Sequence, residues 1–316
     1  MQGGLTALPP LRDDGGSLFA VVIPTYNQAD LLAIALRSVF AQTFQRFEVI
    51  VVDNHSPDHT AEVVASFADP RLRFTQVRNR GVIALSRNVG IRQTRAPLVA
   101  FLDSDDVWYP AKLDRVRAAF GERPDAGLVC HDEDVTRDGR IVRRNTYGPW
   151  VPGMYRSLIE RGSLLSPSAT VVRRECIERA GPFSEDPMLA GVEDHDLWLR
   201  LSRVCEFHFL HEPLGEFRLH ARSTSVLSGT HLAHSLHLLV RHEALAREWG
   251  ERVPKAAFDR RRAALNAAAA RGASRWLGAD GALAYAVRAI GHAPRQPTTY
   301  ARVAANLGRR LLRRAP

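Results

Sequence analysis

The chain has 316 residues, 45% hydrophobic and 24% charged, which places it among folded globular proteins and excludes a disordered or collagen-like chain. Three cysteines without a CxxC pair exclude a zinc ribbon or a disulfide framework and fit a reducing cytosol. The formal net charge of +9 is uneven: residues 226–316 carry +11 and the first 225 carry −2, so the front of the chain lacks the basic footprint of a nucleic-acid reader.

Residues 1–17 are rich in Gly, Pro and Asp and lack the basic and apolar stretches of a signal peptide, so a flexible N-terminal segment is expected. No run approaches the ~20 apolar residues of a membrane span. The β-branched run 19–23 predicts a buried strand, and apolar spacing predicts a helix over 27–42. A second strand at 47–52 ends in the polar turn 53–57. A helix at 60–67, a strand at 72–77, a helix at 84–94 and a strand at 98–102 follow. Such alternation predicts right-handed βαβ units in a mostly parallel, Rossmann-like sheet flanked by helices. Ligands bind at the carboxyl ends of such strands, where three polar clusters fall: 24–27, 53–56 and 103–106. Further on, helices are expected at 110–120 and 192–202, and strands at 128–132, 140–144, 166–173, 207–210 and 214–219. From about His231 the Ala-, Leu- and Arg-rich chain reads as helical, with breaks near 250–254, 278–281 and 294–297.

The densest chemistry lies at Asp103-Ser104-Asp105-Asp106, directly after a buried strand. Three carboxylates within four residues repel one another, and a hard divalent cation, Mg²⁺ or Mn²⁺, is the usual compensating partner. The bland alternative is an acidic turn capping the next helix.

Four segments in order set this cluster in context: Val21-Val-Ile-Pro-Thr-Tyr-Asn27, Val51-Val-Asp-Asn-His-Ser56, Leu85-Ser-Arg-Asn-Val-Gly90 and Gly191-Val-Glu-Asp-His-Asp-Leu-Trp-Leu-Arg200. With the acidic strand end among them, the chain resembles the family 2 glycosyltransferases, which have the GT-A fold, over roughly 18–225. The resemblance implies an inverting, metal-dependent enzyme. It would move a sugar from a nucleotide-diphosphate donor, a UDP-sugar first, to a saccharide or lipid-linked saccharide acceptor in cell-surface polysaccharide assembly. Pro24, Thr25 and Tyr26 match the loop for base and ribose. Asp53 and Asn54 match a base-contacting pair that is Asp-Asp in many members. Arg87 matches a position facing the nucleotide, with Arg80 a second candidate. Asp103, Ser104 and Asp105 match the DxD motif, Asp105 as direct ligand of Mn²⁺ or Mg²⁺, and His220 matches a histidine near the diphosphate and metal. Asp194 matches the catalytic base, and Glu193 an acceptor-orienting residue or helix cap. Near a helix N-terminus the dipole is expected to keep Asp194 ionised. His195 reads as a bystander, and Trp198, Leu199 and Leu201 as core.

The implied organisation is a catalytic domain over 18–228, with a nucleotide-sugar half (18–106) and an acceptor half (107–228), followed by a basic helical region at 229–316. In the tail, Leu307, Leu311 and Leu312 lie beside Arg309, Arg310, Arg313 and Arg314. Two readings stay open there: a helix packed on the catalytic domain, or a peripheral contact with an anionic membrane surface. A cytoplasmic enzyme, in the second case at the inner face of the cell membrane, is expected; homo-oligomer formation stays open. A nucleotidyltransferase would want a Gly-rich basic loop after the first strand, and Pro24-Thr-Tyr-Asn27 is not one. A non-catalytic nucleotide-sugar-binding protein would not need Asp105 and Asp194.

Overall fold

The computed structural model describes residues 8–11, 15–163, 165–220, 229–276 and 278–292. Most of the expected flexible opening, the last expected helix break and the whole basic tail at 307–316 lie outside these residues.

In chain order the first half runs β1 (Phe19–Thr25), α1 (Ala29–Phe40), β2 (Phe47–Asp53), α2 (Thr60–Ser66), β3 (Leu72–Gln76), α3 (Ile83–Arg92) and β4 (Leu98–Phe101). It continues with β5 (Val107–Trp108), α4 (Lys112–Glu122), β6 (Ala126–Arg137), β7 (Arg140–Asn145), α5 (Met154–Arg161), β8 (Thr170–Arg173), α6 (Arg174–Ala180), α7 (Glu193–Leu201) and β9 (Glu206–Leu219). Helices α8 (Gly229–Glu248), α9 (Lys255–Trp276) and α10 (Gly278–His292) complete it.

Among the described residues the sheet has nine strands in the order β3-β2-β1-β4-β8-β6-β9-β5, with β7 beside β6. The strands β3, β2, β1 and β4 are mutually parallel, as their βαβ connections require. Beyond β4 the sheet is mixed: β8 runs antiparallel to β4 and to β6, while β9 runs parallel to β6. The central strands β1 and β4 are buried along their whole length, which is why both read as unbroken apolar runs.

The short strand β5 and the helices α5 and α6 were not expected from the sequence, and three expected strand regions differ in extent. The strand expected at 128–132 runs from Ala126 to Arg137, because His131, Asp132, Glu133 and Asp134 are buried inside the sheet and break the apolar pattern without ending the strand. The two strands expected at 207–210 and 214–219 are one, bent at a register shift opposite Asp132 where Pro213 cannot donate a ladder bond. The strand expected at 166–173 opens with a 3₁₀ turn at Pro167–Ala169 before β8 begins.

The chain divides into two compact units: one of residues 1–155, 163–187 and 193–223, the other of 156–162, 188–192 and 224–316. The first holds the sheet. In the second, Arg260 on α9 donates to Glu160 at 2.7 Å, and the His234 ring on α8 hydrogen-bonds the Ala190 carbonyl at 2.6 Å. Both short segments are thereby tied to the helices. No described helix is long and apolar enough to cross a membrane.

Gly90 lets α3 lie against β1. A Cβ there would fall 2.4 Å from Cγ1 of Val22, a β-branched side chain with little rotamer freedom inside a buried strand. Gly90→Ala is expected to lower stability by about 1–3 kcal/mol, read as a lower midpoint in urea at unchanged slope.

Candidate active site

The loops after the first three parallel strands brace one another. The Asn54 amide donates to the Thr25 carbonyl at 3.0 Å, and the Asn27 amide to Ser56 Oγ at 2.8 Å. The Ala29 amide donates to Asp58 Oδ2 at 2.9 Å. Asp53 is fully buried; its carboxylate accepts from the Ser56 amide at 3.1 Å, from the Ser56 hydroxyl, and from Gln76 Nε2 at 3.0 Å. Asn54 Oδ1 accepts the Asn79 amide at 2.9 Å. Both residues therefore shape the loop with their own side-chain oxygens. Thr25 differs: its Oγ1 is buried and has no hydrogen-bond partner among the described residues. Tyr26, next to it, is 55% exposed.

Helix α3 ties these loops to the far side of the site, one residue at a time. Ser86 accepts from Asn79 at 2.9 Å. Arg87 forks: Nη2 donates to Asp103 Oδ1 at 2.7 Å and Nη1 to Glu193 Oε1 at 2.6 Å. Its guanidinium lies 5.3 Å from the centre of the Phe183 ring. Asn88 exchanges hydrogen bonds with both the amide and the carbonyl of Phe183, at 3.0 and 2.9 Å. Arg87 is buried, which works against its charge, but Asp103 and Glu193 outweigh that and hold the guanidinium ionised. Arg80, by contrast, is exposed, with a positive φ in the turn before α3.

At the acidic strand end, each member has a different fixture. Ser104 donates to Gln28 Oε1 at 2.5 Å. Asp105 Oδ2 lies 2.8 Å from His220 Nε2, at the end of β9. Burial and the Asp103 carboxylate push the Asp105 carboxyl above its ordinary range, and His220 partly offsets them. Asp106 points into the interior, where its carboxylate accepts from Ser168 Oγ at 2.6 Å and from the Arg218 amide at 3.0 Å. Burial, then Glu133 and the neighbouring aspartates, push it well up. Ser168 is the hub behind this end. Its Oγ also accepts the Asp103 amide at 3.0 Å, and its carbonyl accepts Lys112 Nζ at 2.5 Å and Trp108 Nε1 at 2.9 Å.

Asp194 follows Glu193 in the first turn of α7. The expectation that the helix terminus keeps its carboxyl low is overturned: burial first and the Glu193 carboxylate second push it up to about 7, against the pull of Arg87 and of the His195 amide, which donates at 2.7 Å. Glu193 is buried against Arg87 rather than standing free as a cap.

The donor set suits a hard divalent cation. Asp105 offers carboxylate oxygen and His220 imidazole nitrogen at one point, with Asp103 close enough to raise the Asp105 carboxyl. No described cluster of three or more His, Cys, Asp or Glu is arranged to hold a metal by itself. A cation here would complete its shell from diphosphate oxygens and water, as Mg²⁺ commonly does.

The residues expected from the sequence thus converge in part. Arg87, Asp103 and Glu193 form one connected set, with Asp194 next to Glu193 in the same turn; Asp105 and His220 form a second, which begins two residues beyond Asp103. Asp53 and Asn54 serve the loops. Gln28, Ser168, Lys112 and Glu133 were not expected. Lys112 carried a usable signal, since it shares the apolar helix face of Leu113, Val116, Ala119 and Phe120. Ser168 carried none.

The sequence profile described as glycosyl transferase family 2 matches residues 20–180. The chain belongs to this family. An uncharacterized glycosyltransferase of Rickettsia prowazekii is 29% identical over 220 residues, 66% of this chain and 66% of that one. The succinoglycan biosynthesis protein ExoO of Rhizobium meliloti is 40% identical over 127 residues, 39% of this chain and 35% of that one. The chain therefore spans no more than about two thirds of the length of these relatives. Among solved structures, S. aureus TarS 1-349 in complex with UDP superposes with a TM-score of 0.56 at 19% identity, over 87% of this chain and 88% of that one. The mannosyltransferase PcManGT from Pyrobaculum calidifontis, in complex with GDP-Man and Mn²⁺, gives 0.54 at 20% identity, over 98% and 91%. These likenesses establish the GT-A fold.

Removing one partner of a buried ionic set typically costs about 3–5 kcal/mol. Arg87→Met, which removes the guanidinium that Asp103 and Glu193 share, is expected to lose that much in urea denaturation. Arg87→Lys should recover only part, because one ammonium cannot fork between two carboxylates.

Proposed function

We propose that the protein transfers a sugar, with inversion, from a nucleotide-diphosphate donor to a saccharide-type acceptor in the assembly of a cell-surface polysaccharide. The observation that carries this reading is the Arg87 fork. In a family 2 chain, it links the acidic strand end through Asp103 to the turn that holds Asp194. The donor diphosphate lies at the Asp103–Asp105 end, and the acceptor hydroxyl at Asp194. Thr25, whose buried hydroxyl has no described partner, and the exposed Tyr26 receive the nucleoside. The likeness to ExoO, a succinoglycan biosynthesis protein, supports the polysaccharide context, and the UDP-bound and GDP-Man-bound neighbours support a nucleotide-diphosphate donor, with UDP first. A lipid-linked acceptor and a cytoplasmic site of action complete the proposal.

Asp105 and His220 would hold Mn²⁺ or Mg²⁺, which when bound neutralises the charge gathering on the leaving diphosphate. The remaining work belongs to side chains. Asp194 takes the proton of the acceptor hydroxyl as that oxygen attacks C1 of the sugar. The C1–phosphate oxygen bond breaks, and its electron pair leaves with the diphosphate. With one displacement and no protein nucleophile, the configuration at C1 inverts. A base with a pKa near the working pH combines availability with basicity, and the burial that lifts Asp194 to about 7 supplies that match. Glu193, held by Arg87, fixes the turn that aims Asp194.

Asp194→Asn should lower turnover by about 10²–10⁴-fold with donor affinity nearly unchanged. The wild-type kcat should fall as pH drops below about 7, since protonation removes the base, and this limb should vanish in the variant. Retained turnover in Asp194→Asn, with loss in Glu193→Gln, would move the base to Glu193.

Calorimetry with UDP and GDP, each with and without Mn²⁺, tests the donor end. The expected result is Mn²⁺-dependent binding of UDP that Asp105→Asn abolishes in a folded protein. Equal affinity with and without the ion in both proteins would remove the cation from the site.

A further inference from the structure

The hairpin of β6 and β7 stands out from the rest of the sheet. The strand β7 pairs with β6 alone, and residues 137–144 are all exposed. They read Arg-Asp-Gly-Arg-Ile-Val-Arg-Arg, with Ile141 61% and Val142 52% exposed. Large aliphatic side chains are rarely left so bare side by side on an edge strand, where they invite association. The backbone here is also well defined. Asp138 and Gly139 both have positive φ, +51° and +73°, as a two-residue type I′ turn requires. Val135 faces Arg143 while Thr136 faces Ile141, so Val142 is the extra residue of a bulge.

The charge of the hairpin is equally one-sided. Arg144 is engaged by the buried Asp134 at 2.9 Å. Among the described residues, Arg137, Arg140 and Arg143 take part in no ion pair, and Asp138 is the one acid in the stretch. Three uncompensated guanidinium groups around two bare aliphatic side chains match an anionic lipid interface, where headgroup phosphates meet the cations and the acyl boundary meets the apolar side chains. A polyanionic saccharide would be met by the arginines but gives Ile141 and Val142 nothing to bury against.

The hairpin also has a definite address. Arg137 pairs with Leu219 on β9, the residue before His220, and the Arg218 amide binds Asp106. The turn therefore projects from the strand end that delivers His220 to the acidic loop.

We propose that the 137–144 hairpin is a docking surface for an anionic phospholipid bilayer, set beside the donor site. The site then opens at the height of lipid headgroups, where a lipid-linked acceptor presents its sugar. This surface lies wholly within the sheet-bearing unit and does not involve the tail at 307–316. It goes beyond the proposed transfer reaction, and the two can fail separately: vesicle binding reads one, and nucleotide binding reads the other.

The test is co-sedimentation of the full chain with phosphatidylcholine vesicles, with and without phosphatidylglycerol. Each cation at an anionic surface is worth about fivefold in partitioning. Arg140→Glu/Arg143→Glu should therefore weaken binding to the anionic vesicles by about 25-fold or more. Ile141→Ser/Val142→Ser should weaken it on the order of tenfold, and about 1 M salt, where the screening length is ~3 Å, should mimic the charge reversal. Near-UV circular dichroism and Mn²⁺-dependent UDP binding should be unchanged in both variants, since neither touches the site. The tail is identical in all three proteins, so the differences belong to the hairpin.

Equal vesicle binding by wild type and both variants overturns the proposal, as does wild-type protein that ignores anionic vesicles or binds neutral ones equally. Loss of binding to soluble polyphosphate on charge reversal, with vesicle binding intact, would reassign the arginines to a polyanionic acceptor. Unchanged vesicle binding, with self-association altered in Ile141→Ser/Val142→Ser, would reduce the hairpin to a charge-protected sheet edge.

Discussion

A guanidinium buried between two carboxylates organises this site. Arg87 can be ionised in the interior only because Asp103 and Glu193 face it, each taking one arm of its fork. Each partner removes the desolvation problem of the others, so the three are stable as a set and costly as fragments. The geometry follows from that constraint. Asp103 lies just past β4 of the parallel half, Glu193 opens a helix ninety residues on, and α3 carries the cation to both. The flat guanidinium, stacked over Phe183, fixes direction as well as distance.

Around this set the carboxyl groups are sorted by environment. Asp106 faces inward to the Ser168 hydroxyl and the Arg218 amide, and is a fixture of the fold. Asp105 meets an imidazole. Asp194, buried and next to Glu193, is pushed up to about 7. Glu133, in the middle of β6, is also pushed up to about 7 by burial, against the Tyr147 hydroxyl, which donates at 2.6 Å, and the Lys112 ammonium. Asp103, Asp105 and Asp106, close together after one strand, therefore have three different partners, Arg87, His220 and Ser168, which the tertiary fold decides and spacing does not.

The sequence made the parallel half legible, because β1, β2 and β4 are buried on both faces and leave unbroken apolar runs, and the intervening helices keep their period. The second half was read less well for a physical reason. There the sheet itself buries His131, Asp132, Glu133 and Asp134, and the three carboxylates are satisfied by residues from other segments, Tyr147 for Asp132 and Glu133 and Arg144 for Asp134. A polar residue in a strand looks like a strand end until its partner is known. Arg87, Asp103, Asp194 and Glu193 were visible as members of spaced motifs, but their connection was not, since nothing in the spacing says that one guanidinium spans two of them. The raised Asp194 carboxyl was misread for the same reason: the helix terminus is local and legible, while burial beside Glu193 comes from tertiary packing.

The bracing of the loops at 25–29 and 53–58 has a consequence for how such a protein changes over generations. Asn27 rests on Ser56, Ala29 on Asp58, Asn54 on Thr25 and Asn79, and Asp53 on Gln76. The side chains of Ser56, Asp58, Asn54, Asp53 and Gln76 carry these bonds, so a substitution there removes a brace, whereas Asn27, Ala29 and Thr25 take part through their backbone and can vary more freely. Tyr26 stands in the midst of it with its side chain exposed, outside the web of mutual obligation. That position can vary while the surrounding cradle is inherited intact.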